Sequence, residues 1–521
     1  MRISNSTQTS ANALRISNLP LDLPANSLAS RLFLSLLDAD INYCHWKSNN
    51  ALDRIARGEN DLDLLVDRTN QADFHAILSG LGFKLVRAPA EKRLPGILDY
   101  FGYDSYTDQW IHVHAHFQLV LGHDLSKNYH LPIEKAYLSL ASRKGLIKVP
   151  APDFEYVIFV VRMVLKHATW DVILGGEGKL KTAEQKELAF LQAHIQVQRV
   201  HTIINQYLPQ LSTGFFDECV QAIKPNSSLW QRVKTGAQLQ SRLAGAARRP
   251  LPASVVLKVT RRASLALSRR LWKTNSKFQF AGGGAIVAIV GGDGAGKSTA
   301  VESLVTWLGK NFATRSVHLG KPSWSLTTRL VRMVLKLGQL LRLYPAEAIY
   351  RETLQQKSLL SPGYPWLLRE LCRARDRYHT YRRGRRYASN GGILIFDRFP
   401  APQIQLMDGP LSRRFVSELA DSPQASQHLR PHPDSPIVQA LIQHTERYYQ
   451  QFQPPELFIV LRLNPEIAVQ RKPAEDPVAV HDRSSEVWAL DWTQASAHLI
   501  DASLPKEDVL SQLKALIWSE L

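Results

Sequence analysis

Ala285-Ile-Val-Ala-Ile-Val-Gly-Gly-Asp-Gly-Ala-Gly-Lys-Ser-Thr299 runs from an apolar, β-branched segment straight into a glycine-rich turn ending in Lys-Ser-Thr. The apolar run predicts a buried strand, and Ala300-Val-Glu-Ser-Leu-Val-Thr-Trp-Leu308 after the turn predicts a helix. Gly291, Gly296, Lys297 and Ser298 satisfy G-x-x-x-x-G-K-[ST], the spacing of a phosphate-binding loop. Glycine lets backbone N–H groups close on phosphate oxygens, and the helix that follows presents its positive end to the same anion. Candidate nucleotide-binding residues are therefore Gly291, Gly292, Gly294, Ala295, Gly296, Lys297, Ser298 and Thr299. Lys297 is expected at the β- and γ-phosphates and Ser298 at Mg²⁺.

Outward from this loop, apolar β-rich runs recur at Ser316–Leu319, Ile393–Phe396, Leu457–Leu461 and His498–Asp501, with helical stretches between them. That alternation predicts an α/β domain with a parallel sheet over residues 283–521. Ligands of such sheets gather at the carboxyl ends of the strands, where Asp397-Arg398-Phe399 falls. Asp397 is a candidate metal residue, and Arg398 a candidate for bridging phosphates.

This region resembles thymidylate kinase. Gly292-Asp-Gly-Ala-Gly-Lys-Ser-Thr299 is similar to that family's loop, Arg375-Asp376-Arg377 to its arginine-bearing helix, and Asp397-Arg398-Phe399 to its Asp-Arg-Tyr element. Asn464-Pro-Glu-Ile-Ala-Val-Gln-Arg-Lys472 resembles its last strand-to-helix turn, leading to a lid near Arg483. The resemblance implies a nucleoside monophosphate kinase using ATP and Mg²⁺, with dTMP converted to dTDP. Lys297, Asp397, Arg398 and Arg471 would be catalytic, Ser298 and Asp397 would hold the metal, and Asp293, Arg377 and Arg398 would bind the acceptor nucleotide. Two departures border the acceptor site: His318-Leu-Gly-Lys-Pro322 replaces Arg-Glu-Pro-Gly, and residues 323–370 form an insertion. A sugar or glycan acceptor, or an NTP-binding regulatory or nucleic-acid-associated role, therefore stays open.

The first half reads differently. Residues 1–27 form a polar stretch expected to be a flexible tail, and 28–150 an α+β domain. In Gly58-Glu-Asn-Asp-Leu-Asp-Leu-Leu-Val66 the strand alternation puts Leu62, Leu64 and Val66 on one side and Asp61 and Asp63 on the other. Two carboxylates on one face can hold Mg²⁺. With Lys47-Ser48 upstream, this segment resembles the nucleotidyltransferase superfamily of the DNA polymerase β type, in which Asp61 and Asp63 match the metal pair. The third carboxylate of that family has no counterpart in Trp110-Ile-His-Val-His-Ala-His116, so little or no nucleotidyl transfer is expected. His112, His114 and His116 alternate along a strand; at about 3.3 Å per residue one ion engages at most two neighbours, and a polar cleft-lining face is the simpler reading.

Residues 151–247 show helical spacing and read as a helical appendage. Residues 248–282 carry Lys258, Arg261, Arg262, Arg269, Arg270 and Lys273 without an acid, and read as a basic linker. A basic helix there could lie on anionic membrane or nucleic acid, but a solvated connecting helix is the plainer reading. The net charge of +18 favours anionic partners, nucleotides among them. No run is long and apolar enough to span a bilayer, and the first twenty residues lack a secretory pattern. Cys44, Cys219 and Cys372 are scattered and odd in number, which suggests reduced thiols and a cytoplasmic protein.

Overall fold

The computed structural model describes residues 24–54, 60–174, 178–272, 277–341, 364–404 and 435–521, leaving out 25, 53 and 402. The expected tail over 1–27 lies almost wholly outside them, as do Lys273 and the part of the 323–370 insertion between 342 and 363. The chain divides into two compact units, Met1–Ser276 and Lys277–Leu521. Among the described residues no helix is long and apolar enough to cross a membrane.

Among the described residues unit 1 opens with α1 (Leu28–Asp38), whose first turn is closed by Ser27 accepting the Ser30 N–H. Its sheet comprises β1 (Tyr43–His45), β2 (Leu62–Val66), β3 (Lys84–Arg87), β4 (Ile97–Asp104) and β5 (Gln109–His116), with α2 (Gln71–Gly80) between β2 and β3. The strands stand in the order β1-β2-β5-β4-β3. The pair β2/β5 is parallel, with Asp63 opposite His114, and β4/β5 is antiparallel, with Asp99 opposite the same His114. Leu62, Leu64 and Val66 pack with α1, α2, Tyr100, Ile111, Val113 and Ala115. The opposite face therefore carries Asp63, Asp99 and the three histidines, as a two-residue period requires.

The longer helices after the sheet are α3 (Pro152–His167), α4 (Thr182–Gln192), α5 (Val197–Tyr207), α6 (Thr213–Ala222), α7 (Leu229–Arg242) and α8 (Leu251–Trp272). The segment that reads as an appendage shares one core with the sheet: Phe154, Val157, Val161 and Leu165 of α3 join Cys44, Trp46 and Leu65 of the strands. The physical reason is the composition of α3. It is apolar on nearly every side, so its burial demands partners all round. The basic stretch is not a bare connector either. Within it α8 is a continuous helix whose Lys258 pairs with buried Asp171, whose Arg261 donates to Leu125 O at 2.7 Å, and whose Ser264 donates to Glu91 at 3.0 Å. Those contacts hold its inner face to unit 1.

Unit 2 is an α/β domain built on one parallel sheet. Its strands are β6 (Ile286–Gly291), β7 (Thr314–His318), β8 (Ile393–Asp397), β9 (Leu457–Arg462) and β10 (His498–Asp501), all parallel, in the order β7-β8-β6-β9-β10. All six residues of β6 are buried, the reason its sequence is continuously apolar rather than alternating. The connecting helices are α9 (Lys297–Gly309), α10 (Leu326–Leu340), α11 (Tyr364–Ser389), α12 (Pro436–Gln450), α13 (Pro465–Arg471), α14 (Pro477–Ala489) and α15 (Lys506–Glu520). Chain order reverses between β6 and its neighbours, and the phosphate-type loop leaves β6 at that switch point.

Candidate functional site

In unit 2 the register of the strands assembles the site. Ile289 of β6 and His318 of β7 both lie opposite Asp397, the last residue of β8. β7 and β8 therefore end level while β6 runs on to Gly291, and the loop 292–296 turns over these ends into α9. Gly296 caps that helix at φ +81°, a left-handed conformation that side chains disfavour. Gly292 lies against α14, since a Cβ there would sit 2.8 Å from Ser484 Oγ. The first N–H groups of α9 lack intrahelical acceptors and point at the space over the loop.

Lys297, first residue of α9, folds its ammonium onto the loop and donates to Gly291 O at 2.9 Å and Gly292 O at 2.7 Å. Ser298 follows, its hydroxyl 3.5 Å from Asp397 Oδ2. Asp397 is buried, and its Oδ1 has no hydrogen-bond partner. A buried carboxylate oxygen without a partner is costly unless a cation meets it, so Ser298 and Asp397 fit a Mg²⁺ position. His318 Nε2 lies 4.0 Å from the other oxygen, Oδ2. Ala295 is buried beneath the loop, while Thr299 is exposed on the first turn of α9.

The acid of the loop meets two guanidinium groups. Asp293 is buried, with Arg483 Nε of α14 at 3.0 Å and Arg398 Nη2 at 3.9 Å. Arg398 holds φ +64°, a strained setting for a non-glycine residue that recurs at functional sites. Arg471 closes the other side, donating to Ala502 O at 2.9 Å and Gly294 O at 3.5 Å. Arg377 lies behind β7, donating through Nε to Leu319 O at 3.0 Å and through Nη1 to Tyr449 Oη at 2.8 Å. Leu319 N in turn bonds Asp397 O, which ties Arg377 to the strand ends. Other arginines of α11 hold structure: Arg375 donates to the hydroxyls of Ser325 and Thr328, and Arg385 pairs with Glu456.

In unit 1, Asp63 and Asp61 separate. Asp63 takes Lys47 Nζ at 2.8 Å and His114 Nδ1 at 3.1 Å, whereas Asp61, 62% exposed, takes His112 Nδ1 at 3.0 Å. Burial alone would raise the Asp63 carboxyl, but Lys47 and hydrogen bonds from His114 and His116 hold it well below the usual range. His112 also meets Asp99 at 2.9 Å; burial opposes its charge, yet the two carboxylates outweigh that and lift it to about 9. Burial drives His116 far down, so it is neutral.

Sequence reasoning missed three residues. Asp99 is the carboxylate nearest the histidine row, supplied by β4 rather than by the Trp110–His116 strand. Its signal is an acid inside the aromatic run Ile97-Leu-Asp-Tyr-Phe101. Glu187 reaches back from α4 to the Lys47-Ser48 turn, accepting from Ser48 N at 3.0 Å, Ser48 Oγ at 3.2 Å and Arg162 at 2.8 Å. His318 stands beside Asp397 for a reason invisible locally, the β7/β8 register. Cys44, Cys219 and Cys372 are free and buried.

No family model matches the chain. It is 28% identical over 236 residues to the "Uncharacterized ATP-binding protein YghR" of Escherichia coli (strain K12), covering 44% of this chain and 86% of the relative. The protein of the same name from Escherichia coli O6:H1 matches with the same figures. Among solved structures it is similar to deoxyadenosine kinase from M. mycoides with bound dATP, at 14% identity and a TM-score of 0.26, over 44% of this chain and 98% of that one.

Proposed function

We propose that unit 2 transfers the γ-phosphoryl group of ATP to a nucleoside monophosphate, with dTMP the acceptor and dTDP the product. The observation that carries the reading is the pairing of Ser298 Oγ with a buried Asp397 whose second oxygen is unpartnered, directly under a G-x-x-x-x-G-K-S loop. Similarity to a protein named as ATP-binding supports ATP as donor.

In this reading Lys297 leaves the loop carbonyls for the β- and γ-phosphates, and the first N–H groups of α9 take the phosphate oxygens. Ser298 and Asp397 would hold Mg²⁺, which would supply charge neutralisation at the phosphates. A phosphate oxygen of the acceptor attacks the γ-phosphorus and ADP departs with the bonding pair. That nucleophile is already anionic, so no side chain need remove a proton. The protein's task is positioning and neutralising charge, for which Arg398, Arg471 and Arg377 stand around the strand ends. Asp293, engaged by Arg398 and Arg483, faces the acceptor side rather than the triphosphate, where its charge would be repelled.

A sugar or glycan hydroxyl would need a base at the nucleophile, and the only loop acid is turned to two guanidinium groups; this favours a monophosphate acceptor. For unit 1 we keep the nucleotidyltransferase-like reading, without transfer activity, on the Lys47-Ser48 turn and the Asp63 strand. The test is the full-length protein with γ-labelled ATP and a panel of nucleoside monophosphates, sugars and glycans. Label in dTDP supports the proposal. Label confined to a sugar product, or to released phosphate, contradicts it.

A further inference from the structure

Unit 1 holds a second constellation with chemistry of its own. Asp63 Oδ1, His114 Nδ1 and His116 Nε2 converge, the described residues' one group of three donor atoms within 4.8 Å of one another. The edges of the triangle are 3.1 Å from Asp63 to His114, 3.3 Å from His114 to His116, and 3.8 Å from His116 to Asp63. A point equidistant from three such corners lies about 2 Å from each, the length of a zinc–nitrogen or zinc–oxygen bond. We propose that Asp63, His114 and His116 bind one divalent transition-metal ion of the zinc type.

Three features support this beyond proximity. Two imidazole nitrogens aimed at each other serve only one hydrogen bond between them, but both can donate to one ion. Imidazole with carboxylate suits zinc and its neighbours; magnesium prefers oxygen alone. The surroundings also place a carboxylate behind one ligand. His114 presents Nδ1 to the triangle while its Nε2 lies 3.8 Å from Asp99 Oδ1, near enough for that carboxylate to orient the ring once an ion replaces the proton on Nδ1. His116 is fully buried under the edge of the Trp46 ring, at 5.0 Å between centroids, so it cannot swing out of place. His114 keeps 26% of its side chain exposed, which leaves an entry path.

Lys47 is the competitor. Its ammonium, 2.8 Å from Asp63 Oδ1, is the present counter-charge of that carboxylate, and the ion would take its place. Asp61, paired with His112, is outside the set.

The test is direct binding of Co²⁺ and Zn²⁺ to the chelator-treated full-length protein, read by visible cobalt absorption and by competition with a chromophoric chelator. One ion per chain is expected, with a tetrahedral cobalt spectrum that millimolar Mg²⁺ does not displace. His114→Ala should weaken binding by roughly 100-fold or more, and Asp99→Asn by about tenfold. Lys47→Met should tighten it about tenfold by freeing Asp63, a gain that misfolding cannot imitate. Absence of stoichiometric cobalt binding, or affinity unchanged in both His114→Ala and Lys47→Met, would overturn the site. Phosphoryl transfer plays no part in the readout, so this result stands apart from the fate of the kinase reading.

Discussion

Both units place carboxylates beside cations, but they do so in different parts of a sheet. In unit 2 the groups stand at the carboxyl ends of parallel strands, where a loop and a helix start deliver backbone N–H groups to the same spot. In unit 1 they stand on the face of a mixed sheet, Asp63, His114 and Asp99 side by side across three neighbouring strands. A strand-end site is built largely from one contiguous stretch. A face site exists only once the register is made, and its charges must be matched within a part-buried layer. Unit 1 accordingly carries buried ionisable groups such as Glu155, Arg162 and Glu187 beside its cleft.

The largest effect should come from the strand-end site. Asp397→Ala removes the acid expected to hold the metal, and turnover should fall by about two to three orders of magnitude with the melting temperature nearly kept. Steady-state transfer and a thermal melt together check this; a loss of under threefold would mean that the strand end is not the reacting centre.

Unit 1 should show its buried charges through pH. Burial, with the Glu187 charge, raises Glu155 to about 7 against its ordinary 4.5, despite hydrogen bonds from Asn49 that lower it. A raised acid favours the protonated folded state, so its contribution is present below pH 4.5 and lost as pH rises through 7. The loss should amount to roughly 3 kcal/mol. Denaturant titrations of the wild type across that window should slope downward, and Glu155→Gln should flatten them. An equal slope in both proteins would remove this contrast between the units.

A smaller change separates acceptor from donor. Arg398→Lys keeps charge but loses the planar fork, and should raise the KM for dTMP or lower kcat by about tenfold while ATP affinity holds. Asp293→Ala should act on the same side, lowering turnover with dTMP and leaving ATP affinity unchanged or improved. Smallest of all, Asp63→Asn should change transfer by less than about twofold, because Asp63 belongs to the other compact unit. A large loss there would join the two sites into one.

The same contrast explains what could be read before the structure. The readings Ile393–Phe396 and Leu457–Leu461 fall on β8 and β9, since buried parallel strands are apolar throughout and their partners need not be known, and His498–Asp501 falls on β10, an edge strand of which only Ile500 is buried. Lys297, Ser298 and the facing Asp397 were legible for a like reason: each is tied to a strand end. The alternation of Asp61 and Asp63 was legible too, and Leu62, Leu64 and Val66 do lie in the core. Their divergence was not. Asp61 meets His112 and Asp63 meets His114 because β5 runs parallel to β2 in one register, a fact of pairing between distant segments. Asp99 needed the β4/β5 hairpin, and Glu187 needed the packing of α4 near the Lys47-Ser48 turn, neither of which leaves a local mark.

On this reading the phosphate loop of unit 2 moves a phosphoryl group between nucleotides. The most direct test is the rate of label transfer from γ-labelled ATP to dTMP in wild type and in Lys297→Ala, with folding of both checked by circular dichroism. Labelled dTDP is expected from the wild type, with a rate lower by about three orders of magnitude in the variant. Absence of labelled dTDP from the wild type, or equal rates in the two proteins, would contradict it.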